Sequence, residues 1–171
     1  MNLISKRLLI LTLFLSAASV TMGQLRAKVK CPDFYIDILT GTVNGDIKPN
    51  NTQDEIKTKF PCFSSAVDET PDAKCGGGIF FKDKDIFFYT KRNYIEIGPK
   101  FIGKISIPML GTRRNSLFKS LGNPKIKDDL WDAYEMQYGT LVLHYDAAGA
   151  AGKVKMIQFS NLSTDVLNLC E

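Results

Sequence analysis

The chain has 171 residues, 44% hydrophobic and 23% charged, with a formal net charge of +4 from 22 basic and 18 acidic side chains. That length and balance fit about one globular domain and exclude a wholly disordered chain. A single histidine, His144, excludes any two-histidine catalytic or metal site.

Residues 1–23 read as a secretory signal peptide. Lys6 and Arg7 form a basic n-region, Leu8 to Val20 is an apolar run, and Thr21 and Gly23 are small enough to precede cleavage before Gln24. The run is shorter than the ~20 apolar residues a spanning helix needs, so no stable membrane anchor is expected. A lipid anchor is not expected either, because the first cysteine, Cys31, follows Lys28-Val29-Lys30 rather than the small residues that end the run. Without Lys6 and Arg7 the balance is 20 basic against 18 acidic residues, too even for a nucleic-acid surface. The expected location is the periplasm or the extracellular space.

Residues 24–46 form an N-terminal segment with a strand around Phe34 to Leu39. A first unit follows over 47–106. Thr52-Gln53-Asp54-Glu55 fits a capping box, Ile56 and Phe60 lie on one helical face, and Pro61 stops the helix. Strands are expected at Ile79 to Phe81, Ile86 to Thr90 and Tyr94 to Ile97, the first two joined by the polar turn Lys82 to Asp85. A second unit over 107–171 repeats the pattern. Thr112 is the expected cap, Leu117 and Leu121 are four apart, and Gly122 with Pro124 is the stop. Strands then follow at Ala133 to Tyr138, Leu141 to Tyr145 after a Gly139-Thr140 turn, and Val154 to Phe159. The fold class expected is α+β: two tandem helix-then-antiparallel-meander units forming a sheet with helices on one face.

The four cysteines, Cys31, Cys62, Cys75 and Cys170, include no C-x-x-C pair. In an exported chain they read as two disulfides. Three connectivities are open, and the preferred one is Cys62–Cys75 closing a short loop with Cys31–Cys170 tying the ends.

The second unit combines three segments: T-x4-L-x3-LGNP from Thr112, YEMQYGTLVLHYD from Tyr134, and GKVKMIQF from Gly152. So built, it resembles the repeat of the β-lactamase inhibitory protein type. It is similar, too, to the related domain of the small outer-membrane assembly lipoproteins. The first unit departs from the pattern in two places, since TQDEIKTKFPC lacks the glycine and GGGIFFKDKDIFFY has a tighter hairpin. The resemblance covers about 48–160 and implies a tandem-repeat α+β fold whose sheet offers a concave face to another protein. It carries no individual contact residue across.

Catalysis finds little support. His144 in LVLHY reads as a sheet-face residue, and no nucleophile-elbow context surrounds any serine. Asp128, Asp129, Asp132 and Glu135 match no calcium loop and read as a solvated cluster. Arg113 and Arg114 read as part of a mixed charged surface. Gly76-Gly77-Gly78 enters a strand rather than a helix, so it suits a close backbone approach rather than a phosphate. No catalytic residue, metal or cofactor is therefore expected.

Aromatic residues are the strongest binding signal. Alternation places Ile86 and Phe88 on one face, with Phe87 and Tyr89 on the other; Ile95 and Ile97 seek the core and push Tyr94 and Glu96 outward. The partner-binding candidates are Phe87, Tyr89, Tyr94 and Glu96, with Tyr138 and His144 from the second unit and Asp83 and Asp85 from the turn between strands. The expected function is that of an inhibitor or immunity-type protein occluding an enzyme or toxin. The alternative is a non-lipidated envelope-assembly accessory protein.

Overall fold

The computed structural model describes residues 30–170, so the signal-peptide segment lies outside the described residues. In chain order the elements are β1 (Phe34–Asp37), β2 (Thr42–Val43), α1 (Gln53–Lys59), β3 (Ser65–Val67), β4 (Gly78–Phe81), β5 (Ile86–Tyr89) and β6 (Tyr94–Ile97). They continue with β7 (Gly103–Ile105), α2 (Arg114–Leu121), β8 (Ile126–Lys127), β9 (Trp131–Met136), β10 (Gly139–Tyr145) and β11 (Val154–Ser160). Eight strands make one sheet, in the order β3-β4-β5-β6-β11-β10-β9-β8, with every neighbouring pair antiparallel. A small sheet, β2-β1-β7, joins β1 to β7 in parallel. The protein is thus mixed α+β and mostly antiparallel. No helix among the described residues is long and apolar enough to cross a membrane.

Local chemistry sets the first helix. Thr52 Oγ1 accepts from the Glu55 amide at 3.3 Å, and the Glu55 carboxylate accepts from the Thr52 amide at 2.8 Å, which closes the expected capping box. Ile56 and Phe60 are fully buried. Phe60 packs with Phe34 and Phe81 at ring-centroid distances of 4.9 and 6.0 Å.

The second helix is held differently from the expectation. Thr112 does not cap it; its hydroxyl donates to the Pro108 carbonyl at 3.1 Å, and the N-cap is Arg113 with no side-chain bond. The amides of Arg114 and Asn115 instead donate to the carbonyls of Gly152 and Ala150, at 2.8 and 3.2 Å. The free amides of a helical first turn need acceptors, and here a distant hairpin supplies them. Gly122 ends the helix at φ 75°, a left-handed conformation suited to glycine.

In the large sheet, Ile79, Phe81, Ile86, Phe88, Ile95 and Ile97 point to one face, and Tyr134, Leu141, Leu143, Tyr145, Ile157 and Phe159 continue it. Ile56 of α1, Leu117 of α2, and Phe34 and Ile36 of β1 belong to the same core. The β9–β10 turn falls at Gln137-Tyr138, two residues before the expected position. Gly139 already pairs with Met136, and a Cβ at Gly139 would stand 2.3 Å from the Ser160 carbonyl oxygen. The two loops after the helices contain the short edge strands β3 and β8, which the sequence pattern does not reveal. The Gly76–Gly78 run does serve close packing: a Cβ at Gly78 would meet the Phe88 carbonyl oxygen at 2.0 Å.

Two disulfides form, but with a different connectivity from the preferred one: Cys31–Cys62 and Cys75–Cys170. Cys62 lies just past α1 and meets the approach to β1, whereas Cys75 precedes β4 and meets the C-terminal segment. Sequence proximity favoured Cys62–Cys75, but β3 and the turn before β4 carry Cys75 away. On the chain-entropy account, loops of 31 and 95 residues are worth about 4 and about 5 kcal/mol.

A second correction concerns charge. Asp132 is not solvated, and Arg114 is not on a charged surface. They are 0% and 3% exposed and form a bidentate pair, with Arg114 Nε donating to Asp132 Oδ2 at 2.9 Å and Nη2 to Oδ1. Tyr145 Oη donates to Asp132 Oδ2 at 2.7 Å, and the carbonyls of Asp128 and Asp129 accept from Arg114 at 2.6 and 3.0 Å. A buried charge persists only when paired and hydrogen-bonded, and this cluster meets that condition. Burial, and then the bond to Asp132, raises the Tyr145 hydroxyl pKa, so it stays protonated and donates.

Candidate functional site

The face of the large sheet turned away from the core carries most of the expected binding residues. Register across the strands aligns Phe80, Phe87, Glu96, Gln158, Val142 and Ala133 in one row. Tyr89, Tyr94, Ser160 and Thr140 form the next. Alternation along β5 and β6 therefore works as expected, bringing Phe87, Tyr89, Tyr94 and Glu96 to one face.

On the β4–β5 side this face is aromatic. Phe80 lies 6.0 Å from Phe87 and 5.4 Å from Tyr89 between ring centroids, and Tyr89 stacks on Tyr94 at 4.6 Å with an interplanar angle of 21°. Phe80, Phe87 and Tyr89 remain partly exposed. Burial, with the Glu96 charge nearby, pushes the Tyr89 hydroxyl up to about 12, so it is neutral at physiological pH. Phe80 was missed as a candidate, although it shares β4 with the core residues Ile79 and Phe81. Its alternation with them was the available signal.

Tyr94 is a correction. It faces the expected way but is 0% exposed, because the chain after β11 returns over it and the Cys170 amide donates to its hydroxyl at 3.3 Å. Arg92 Nη1 secures the same segment through the Leu169 carbonyl at 2.8 Å and Asn168 Oδ1 at 3.2 Å. Cys75–Cys170 anchors its end. The face opposite the helices is therefore open on one side and strapped on the other.

A polar chain crosses the centre. Gln158 Nε2 donates to Glu96 Oε2 at 2.8 Å, which leaves Gln158 Oε1 to accept from His144 Nε2 at 2.7 Å. An amide oxygen only accepts, so His144 carries its proton on Nε2. Burial raises the Glu96 carboxyl, opposed by the Gln158 hydrogen bond, and burial lowers His144. His144 thus has a structural partner on the sheet face.

The remaining candidates are dispersed. Tyr138 sits at the β9–β10 turn and packs edge-on to Phe159 at 6.3 Å, against the core, so it does not join the aromatic group. Asp83 is exposed in the β4–β5 turn and accepts from Ser64 Oγ at 3.0 Å. Asp85 is half-buried and accepts from the Lys100 amide at 2.7 Å, which ties it to the loop after β6. The acids near β9 do not converge either: Asp132 is committed to Arg114, and Glu135 pairs with Lys125 at 3.3 Å. The turn over 147–152 uses its carbonyls to hold the start of α2. Comparison of the chain with protein-family models, curated proteins and solved structures yields no match.

Proposed function

We propose that this is an exported protein-binding protein of the inhibitor or immunity type, which occludes an enzyme or toxin with the aromatic face at β4–β5. The observation that carries this reading is the cluster of Phe80, Phe87 and Tyr89, three partly exposed rings held on adjacent antiparallel strands. Rigid aromatic side chains bury large area at low entropic cost, which is why such clusters dominate protein interfaces. The Lys82 to Asp85 turn stands beside it and places charge at the rim of the contact. The two disulfides are compatible with an oxidising compartment.

We further propose that the sheet is built from two tandem units, 47–106 and 107–171, of the β-lactamase inhibitory protein type. The support is the strand order: each helix leads into four successive antiparallel strands, and the last strands, β6 and β11, pair at the centre.

The test is affinity capture from periplasmic and culture extracts with the disulfide-intact protein and with the triple variant Phe80→Ala, Phe87→Ala, Tyr89→Ala. The reading requires a partner that binds the natural sequence and is weakened about 30-fold or more by the triple variant, the size of a lost hot spot. A partner bound equally by both would remove it.

A further inference from the structure

The aromatic face carries a carboxylate whose charge no described part of the fold uses. Glu96 stands directly opposite Phe87 across β5–β6 and opposite Gln158 across β6–β11, between the aromatic group and the polar chain. It is partly exposed. Its Oε2 accepts from Gln158 Nε2 at 2.8 Å, yet no cationic side chain among the described residues forms an ion pair with it. Glu135, on the same face at β9, has Lys125 at 3.3 Å. Arg92, just before β6, is committed to the Leu169 carbonyl and Asn168 Oδ1. The side-chain charge that bears on Glu96 is another carboxylate, that of Asp85, and it adds to burial in disfavouring the ionised form.

The internal hydrogen bond does not require this charge, because a glutamine oxygen would accept from Gln158 equally well. A group that costs folded stability and serves no internal ion pair suits a contact made outside the chain. The rings beside it are free of cations too: no lysine or arginine among the described residues lies over Phe80, Phe87 or Tyr89.

We propose that the protein partner of this face presents an arginine, whose guanidinium pairs with the Glu96 carboxylate and packs against Phe87 and Tyr89. The inference rests on the reading of this face as a protein contact and names the chemistry of what it meets. Aromatic faces attract cations, and a flat, weakly hydrated guanidinium can lie on a ring while donating to a carboxylate. An acidic side chain would be repelled by Glu96 and Asp85. A neutral apolar one would fill the space over the rings but leave a desolvated carboxylate unpaired.

The probes are N-acetyl-arginine amide and its neutral isostere N-acetyl-citrulline amide, titrated into the disulfide-intact protein by nuclear magnetic resonance. The expected result is a weak but saturable shift with the arginine amide, centred on Phe87, Tyr89 and Glu96, and about fivefold or weaker binding of the citrulline amide. Glu96→Gln weakens the arginine amide about fivefold or more with the melting temperature equal or higher, so the loss is not one of folding. Glu135→Gln, on the same face, leaves the titration unchanged. No saturable shift, equal binding of citrulline, or indifference to Glu96→Gln overturns the proposal. Tighter binding by the double variant Arg26→Gln, Lys28→Gln also overturns it, because it assigns Glu96 to a cation of the same chain. A captured partner that the triple alanine variant weakens but Glu96→Gln does not removes the arginine and leaves the occlusion reading standing. An arginine titration that meets every expectation while no partner is captured supports the cation site and removes the occlusion reading.

Discussion

The two halves of the large sheet do similar work by different physics. In the half containing α1 and β3–β6, the helix is capped by its own residues and attached through an aromatic cluster around Phe60. In the half containing α2 and β8–β11, the helix borrows its caps from the turn at 150–152 and is fixed by the buried Arg114–Asp132 pair. The outer surfaces diverge as well: aromatic rings stay partly exposed at β4–β5, while the C-terminal strap lies against β9–β11 and reaches across to Tyr94 of β6. The lesson is that a helix can be attached to a sheet by local signals and apolar burial, or by long-range polar contacts. The second way makes the helix dependent on regions far along the chain.

The largest expected effects test that contrast directly. Asp132→Ala leaves the Arg114 guanidinium buried without its carboxylate and should cost about 3–5 kcal/mol in chemical denaturation. Phe60→Ala should cost a similar amount, about 3–5 kcal/mol, through a cavity rather than an orphaned charge. An Asp132→Ala cost under about 1 kcal/mol would mean that the pair does not hold α2. The double variant Cys75→Ser, Cys170→Ser should cost about 2–5 kcal/mol and increase hydrogen exchange over 161–170 and at Tyr94. Unchanged exchange there would show that Arg92 and the Tyr94 hydroxyl suffice to hold the strap.

Capping gives a smaller and more pointed comparison. Thr52→Ala should lower stability by about 1 kcal/mol, because its hydroxyl serves the Glu55 amide. Thr112→Ala should stay within about 0.5 kcal/mol, since it caps nothing. Equal losses would contradict the assignment of α2's caps to the 150–152 turn.

The least disruptive change addresses the polar chain across the sheet. Glu96 has a carboxyl pKa raised above its ordinary 4.5 by burial, so the folded state holds that proton more tightly than the unfolded chain. Stability associated with this group is therefore present below 4.5 and is lost as pH rises through the folded value. Glu96→Gln keeps an acceptor for Gln158 and should raise the melting temperature at pH 7, with the gain shrinking toward pH 4. A loss at pH 7 would mean that the charged carboxylate contributes net stability.

What could be read from the sequence was local. The capping box of Thr52 and Glu55 spans four residues, the alternation of Ile86 to Tyr89 has period two, and Gly122 marks a helix end by its own backbone. Features that needed distant residues were not legible. Thr112 stands in the cap position by spacing alone, and only the folded position of Gly152 explains why it is not needed. Asp132 reads as one of a run of surface acids until Arg114 and Tyr145 meet it across the core. The disulfide partners depend on where β3, the turn before β4 and the C-terminal segment travel, and that segment also turns Tyr94 from an expected contact into a covered residue. Phe80 was legible by alternation, yet its place beside Phe87 and Tyr89 came only with the β4–β5 register.

The proposed site of partner binding is the β4–β5 face. Hydrogen exchange of the disulfide-intact protein with and without its captured partner tests it most directly. New protection is expected over 79–89, including the Lys82 to Asp85 turn, with 161–170 little changed. Protection confined to β1 and the turn after it, where Tyr35 and Leu39 are 45% and 61% exposed, would overturn the proposal.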